Sequence, residues 1–212
     1  MLNSPGKGAS VNALPPYQQD GPLLGIPSGG LPDELLLRKL RVVFHILLVG
    51  EIRRTLASDP PIGVGSAILT CCAIDFLGSL YAGADASGMT LKSFVRDFLP
   101  AYDPQLLSNM RNRLVHNYVN RGGYTFTAGR DRADLHRPAS ASPTIVVDLL
   151  LDDVESAAER LFAQALEDTD RPPGKDVLQR ARDPGLMWMT DAQSDRPQPG
   201  DPLTHQPAAT DT

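Results

Sequence analysis

The sequence predicts an all-α fold: an up-and-down helical bundle with a small β-hairpin inserted before its last helix and unstructured ends. Three observations point there. Apolar residues at 35, 36, 40, 43, 44, 47 and 48 recur at helical spacing. The run IGVGSAILTCCAIDFLGSLYAG, residues 62–83, is apolar almost all round, the mark of a helix surrounded by others. Val154, Ala157, Ala158, Leu161, Phe162, Ala165 and Leu166 again share one helical face.

In chain order, residues 1–31 are rich in Pro, Gly, Ser and Gln without a sustained period and read as a flexible arm. Pro32 followed by Asp33 and Glu34 places acids at a helix start, and this helix should run to about Ser58, before Asp59-Pro60-Pro61. The 62–83 run follows as the central helix. Thr90 can cap a short amphipathic helix ended by Pro100, and Asp103-Pro104 opens a helix through Val119, with Pro in its favoured first-turn position. Gly122-Gly123 breaks it. YTFT (124–127) and TIVVDL (144–149) have strand composition and predict the hairpin, within about 122–149. Asp152 or Asp153 then caps the last helix, and from Arg171 onward a Pro-rich acidic composition reads as a disordered tail. One globular domain over residues 32–170, with a tail at 171–212, follows from these boundaries and from a 212-residue, 42% hydrophobic chain.

Cysteine is limited to the adjacent pair Cys71 and Cys72, which point about 100° apart on a helix and read as reduced core residues. The spacings of structural zinc sites are missing, so neither metal nor cofactor is expected. Pro and Gly interrupt the N-terminal region where a signal peptide needs a continuous apolar segment, which predicts the cytoplasm. Asp75 at the centre of the 62–83 run argues for a bundle helix over a membrane span.

The net charge of −5 is unevenly spread: −1 over residues 1–91, +4 over 92–137 (8 basic against 4 acidic residues) and −8 over 138–212. A local basic block on an acidic chain suits a confined anionic ligand better than a long duplex, although solvated arginines would give the same count.

That block surrounds RNRLVHNY, residues 111–118. On a helix Leu107, Met110, Leu114, Val115, Tyr118 and Val119 form an apolar face, and Asn112, Arg113, His116 and Asn120 a polar one. Arg111 falls among the apolar positions and therefore needs an anion. Asp75, the lone acid of the central helix, has the complementary need. Asn112 and His116 stand one turn apart, so the amide can orient the imidazole for proton transfer. An Arg five places before a His occurs freely by chance. With Asn, Asp or His directly after the Arg and Tyr two places after the His, the chance expectation falls to roughly one in a thousand.

This composite resembles the signature of the HEPN domains, small helical bundles marked by Arg, a polar residue and, a few positions on, His; Arg111, Asn112 and His116 match it. The ending His116-Asn117-Tyr118 resembles that of HEPN toxins paired with nucleotidyltransferase antitoxins. The likeness covers about residues 33–168 and implies a metal-independent endoribonuclease that forms a homodimer, both copies of the motif lining one cleft. Single-stranded RNA or a nucleotide would be the ligand and a nucleotidyltransferase antitoxin a partner. His116 would move protons at the 2′-hydroxyl and leaving oxygen, Arg111 would stabilise phosphate charge or hold the site, and Asn112 would orient and bind. Arg113 and Arg121 are further candidates for RNA contact. Tyr118 would correspond to the residue modified with AMP in antitoxin-controlled toxins, or is simply core. Two readings of Arg111 stand open, pairing with Asp75 or facing phosphate. The hairpin departs from compact HEPN toxins, and a non-catalytic module binding a nucleotide or protein is the alternative. His45, in VVFHILL, reads as a satisfied core histidine.

Overall fold

A buried lysine ties the stretch before the first long helix to the bundle. The computed structural model describes residues 16–58, 63–83, 89–117 and 125–182, and is mostly helical. Composition reads residues 1–31 as a flexible arm, but from Pro16 onward the chain is structured: helix α1 (Pro16–Gln19), a 3-10 turn (Gly21–Gly25) and a stretch that lies against helix α2 (Asp33–Val42). Lys39 on α2 is fully buried, and its Nζ donates to the Ile26 carbonyl at 2.5 Å and to Ser28 Oγ at 2.9 Å. A buried ammonium needs several acceptors, and the stretch after the turn supplies two of them. Composition cannot reveal such a clasp.

The first long helix runs as expected from Asp33 to Leu56, but not uniformly. Between α2 and α3 (Gly50–Leu56) lies a π-helical segment, Val43–Val49, whose widened turns admit the His45 ring to the core beside Phe44. Leu35, at one of the apolar positions, is exposed; Leu36, Leu37, Leu40 and Phe44 carry the buried face.

Helix α4 (Gly63–Ala82) is the core element, packed against α3 and the helices that follow it, α5 to α8. It is long and apolar enough to cross a membrane, and more than half of it is buried among those helices. Cys71 is buried, whereas Cys72 is exposed, so only one of the pair is a core residue.

Helix α5 (Met89–Phe98) includes Thr90, which is therefore within the helix and not its cap. There Thr90 is buried against α4, where a Cβ at Gly78 would lie 2.9 Å from the Thr90 carbonyl carbon and oxygen. Only glycine permits this approach. Gly78→Ala is expected to force the two helices apart and cost about 1–3 kcal/mol, read as a lower denaturant midpoint with an unchanged m value.

Asp103 caps helix α6 (Pro104–Asn117) by accepting from the Leu106 N–H at 2.8 Å. The two strand segments do form, as β1 (Thr125–Thr127) and β2 (Thr144–Val146), but they pair in parallel, so they are not a hairpin. The connection crosses over through a 3-10 segment, Arg130–Leu135, and returns with Arg137 bridged antiparallel to Thr144. Thr144 is thus flanked by Thr125 on one side and Arg137 on the other.

Helix α7 (Val147–Glu167) starts five residues before the expected Asp152. Val147, Leu150, Leu151 and Val154 extend its buried face, so packing assigns the β-branched Val147 to helix. Asp152 and Asp153 serve as partners of other elements: Asp152 accepts from Arg53 and Arg130, and Asp153 from the Tyr102 hydroxyl. The segment read as tail forms helix α8 (Gly174–Ala181), burying Val177, Leu178 and Ala181 against the bundle. Arg180 donates to the Leu80 carbonyl at the end of α4, and Arg182 ties back to Asp33 and the Leu31 carbonyl.

Candidate functional site

Helix α6 presents its residues in the pattern its sequence demands. Leu107, Met110 and Leu114 are buried against α4 and α5, while Gln105, Asn109, Asn112 and Arg113 are exposed. Arg111 sits at the border, its side chain 35% exposed. Its Nε donates to Asp75 Oδ2 at 2.6 Å, and one Nη donates to Asn112 Oδ1 at 3.0 Å. The two misfit residues of α4 and α6 therefore meet, and the guanidinium is held at the surface by a carboxylate from below. Its other Nη has no partner among the described residues.

His116 lies on α6 one turn beyond Asn112. Its side chain, with Tyr118 and Arg121, lies outside the described part of the chain. Cys72, exposed one turn before Asp75 on α4, is a poor nucleophile: desolvation by the protein around its thiol pushes the pKa up, and the Asp75 charge adds to this.

A second polar cluster is built around His45. Its ring is buried, stacked on Tyr17 at 4.2 Å and edge-on to Phe44. Nε2 lies 2.5 Å from Glu159 Oε1 and Nδ1 3.3 Å from Glu155 Oε1, ion-pair distances at which neither ring N–H is aimed in line at its carboxylate. Arg41 grips Glu159 through Nε and Nη, and Arg53 bonds Glu155 and Asp152. Burial disfavours the charged ring, but the two carboxylates outweigh it and raise the His45 pKa above its ordinary 6.5. Glu155 is lowered mainly by His45. Glu159 falls to about 2, burial being outweighed by His45 and Arg41.

The sign of the pH dependence follows from these directions. The raised histidine contributes stability that is full below 6.5 and lost as pH rises through its folded value; the lowered glutamates contribute above 4.5 and lose it as pH falls. The cluster thus stabilises most between pH 4.5 and 6.5. His45→Gln is expected to flatten the thermal midpoint from pH 6.5 upward, measured by circular dichroism at a series of pH values. A variant that declines like the parent would mean that the folded ring carries no charge.

A third cluster ties the β1–β2 crossover to the bundle. The Tyr102 hydroxyl donates to Asp153 Oδ2 at 2.6 Å and lies 3.0 Å from His136 Nε2, while His136 Nδ1 accepts from the Val146 N–H at 3.0 Å. The Val146 bond makes Nε2 the protonated nitrogen of a neutral ring, in line with a His136 pKa lowered mainly by burial. Each group has a partner, which is the signature of an architectural network.

Sequence reasoning found the first cluster because both members were anomalous within their own helices. It missed the carboxylate partners of His45 and the Tyr102–His136–Asp153 network. The only local signal for the former was Glu155 and Glu159, four residues apart on one face of α7. Of the three clusters, the second and third turn their polar atoms toward one another, whereas Arg111, Asn112 and Arg113 present theirs at the surface. Compared with protein-family models, with curated proteins and with solved structures, the chain matches none.

Proposed function

We propose that the surface formed by Arg111, Asn112 and His116 is the active site of a metal-independent endoribonuclease of HEPN type that cleaves single-stranded RNA. The observation that carries this reading is the fixed, partly exposed guanidinium: Asp75 holds the Nε edge of Arg111, Asn112 stands beside it, and the His116 position follows one turn later on the same helix. A preorganised cation is what a phosphate gaining charge in its transition state requires.

The reaction needs few parts. A histidine takes the proton of the RNA 2′-hydroxyl, the 2′-oxygen bonds to the adjacent phosphorus, and the bond from phosphorus to the 5′-oxygen breaks. The leaving 5′-oxygen takes up a proton. The products are a 2′,3′-cyclic phosphate and a 5′-hydroxyl, with no external nucleophile. In a homodimer, one copy's His116 serves as base and the other's as acid. Asp75 makes Arg111 a positioned cation as well as a charge, so pairing with Asp75 and facing phosphate are compatible roles for different edges of one guanidinium.

Cleavage of a mixed-sequence RNA by the parent and by Arg111→Ala tests the reading. Removing the cation is expected to slow cleavage about 10²–10³-fold. Equal rates would take Arg111 out of the site. One observation favours a second reading, a non-catalytic module: the Asp75 bond also works as a tie between α4 and α6. In that case Asp75→Asn would lower the melting temperature, and the folded parent would bind RNA without cutting it.

A further inference from the structure

The crossover that departs from a compact bundle does not merely decorate it. Its returning loop, residues 138–143, lies along the N-terminal half of α6 and leaves a groove of about 380 Å³ between them. Gln105, Leu106 and Asn109 form one wall, with the Asp103 carboxylate at its start, and Pro138, Ser140 and Pro143 belong to the other. Gln105, Asn109 and Asn112 are exposed, and with the His116 position they stand at intervals of four, three and four residues, a single stripe along the helix. The groove therefore opens onto the motif, its Asn109 wall one turn from Asn112, about 5 Å along the axis.

We propose that this groove seats an unpaired RNA base beside the phosphate to be cut, and so determines which base the protein prefers; the proposal rests on the cleavage reading above. The chemistry of the walls identifies the occupant. Gln105 Nε2 donates to Asn109 Oδ1 at 2.9 Å, which fixes the two amides relative to one another and leaves the Gln105 carbonyl oxygen as an acceptor next to the Asn109 amide donors. An acceptor and a donor side by side in fixed register match the edge of a nucleobase. Leu106 and the two proline rings supply apolar contact for its faces. Two exposed arginines neighbour the lining residues in the chain, Arg113 one turn beyond Asn109 on α6 and Arg137 immediately before Pro138, and can meet the flanking phosphates. An apolar peptide would fit Leu106 and the prolines but would leave the paired amides of Gln105 and Asn109 unmatched.

The test uses the full chain and its Gln105→Ala/Asn109→Ala variant. Two measurements are made: cleavage of four homopolymeric RNAs, and equilibrium binding of AMP, GMP, CMP and UMP by calorimetry. The parent is expected to favour one base by about tenfold or more, and the variant to lose most of that preference while still cutting or binding. A variant that keeps the parent's preference overturns the proposal, as does a parent that treats all four bases alike; cleavage by that parent leaves the reading of Arg111, Asn112 and His116 intact. A folded parent that neither cuts nor binds any of them removes that reading, and the base subsite falls with it.

Discussion

His116→Ala is expected to slow RNA cleavage about 10²–10⁴-fold while the melting temperature stays within a degree or two of the parent, the magnitude typical of losing a positioned proton carrier. The separation of the two readouts follows from the architecture. Leu107, Met110 and Leu114 supply the buried face of α6, and the 116 position belongs to the polar stripe that includes Asn109 and Asn112. A protein that loses its fold with this substitution, or one that cleaves as fast as the parent, would each contradict the role given to His116. Asn112→Ala should fall between the parent and His116→Ala, because it removes an orienting group and leaves the proton carrier in place.

The largest expected effect on stability lies elsewhere. Phe44 is fully buried, stacked near Phe76 with centroids 6.2 Å apart, tilted against Phe162 and edge-on to His45. It joins the π-helical segment, α4 and α7, so alanine at this position opens a cavity at the junction of three elements. The expected cost is about 3–5 kcal/mol, a large share of the 5–15 kcal/mol that typical domains possess. At about 2–4 °C per kcal/mol for a domain of this size, the midpoint should fall by roughly 10 °C. A drop under about 1 kcal/mol in urea unfolding would mean that this junction is not the core. The His45 cluster borders the same cavity, so the variant should also lose part of the stability optimum between pH 4.5 and 6.5.

Much of the bundle was legible because its signals are local. The acids at 33 and 34, the all-round apolar run ending near Gly83 and the Asp103-Pro104 start each locate a boundary by chemistry confined to a few residues. The Asp75 to Arg111 pair was legible for a different reason: each residue violates the pattern of its own helix, and the violations are of opposite charge. What escaped depends on distant partners. The stretch from Pro16 to Leu31 is ordered by Lys39, and α8 is a short helix in a Pro- and Asp-rich context whose stability comes from docking onto α2, α4 and α7. Gly174 shows how closely it docks, since a Cβ there would run into the carbonyl oxygens of Ala165 and Asp168. Strand direction escaped too, because β-branched composition marks a strand without saying which way its neighbour runs.

The crossover between β1 and β2 is where the fold and the proposed chemistry meet. Tyr102, His136 and Asp153 pin it to the bundle, and Gly129, at φ 110°, donates its N–H to Asp148 Oδ2 at 2.7 Å where the chain turns toward α7. A pinned crossover keeps the 138–143 loop at a fixed distance from α6, which a base subsite requires. It also explains how the loop can lie beside Gln105 and Asn109 without disturbing the helix that carries them.

The most direct measurement is the chemistry of the ends left on a single-stranded RNA by the purified parent protein in EDTA. The account predicts 2′,3′-cyclic phosphate and 5′-hydroxyl ends, formed without added divalent metal. Cleavage that leaves 3′-hydroxyl ends, or that starts only when a divalent metal is restored, would contradict it, and so would a folded protein that leaves the RNA intact.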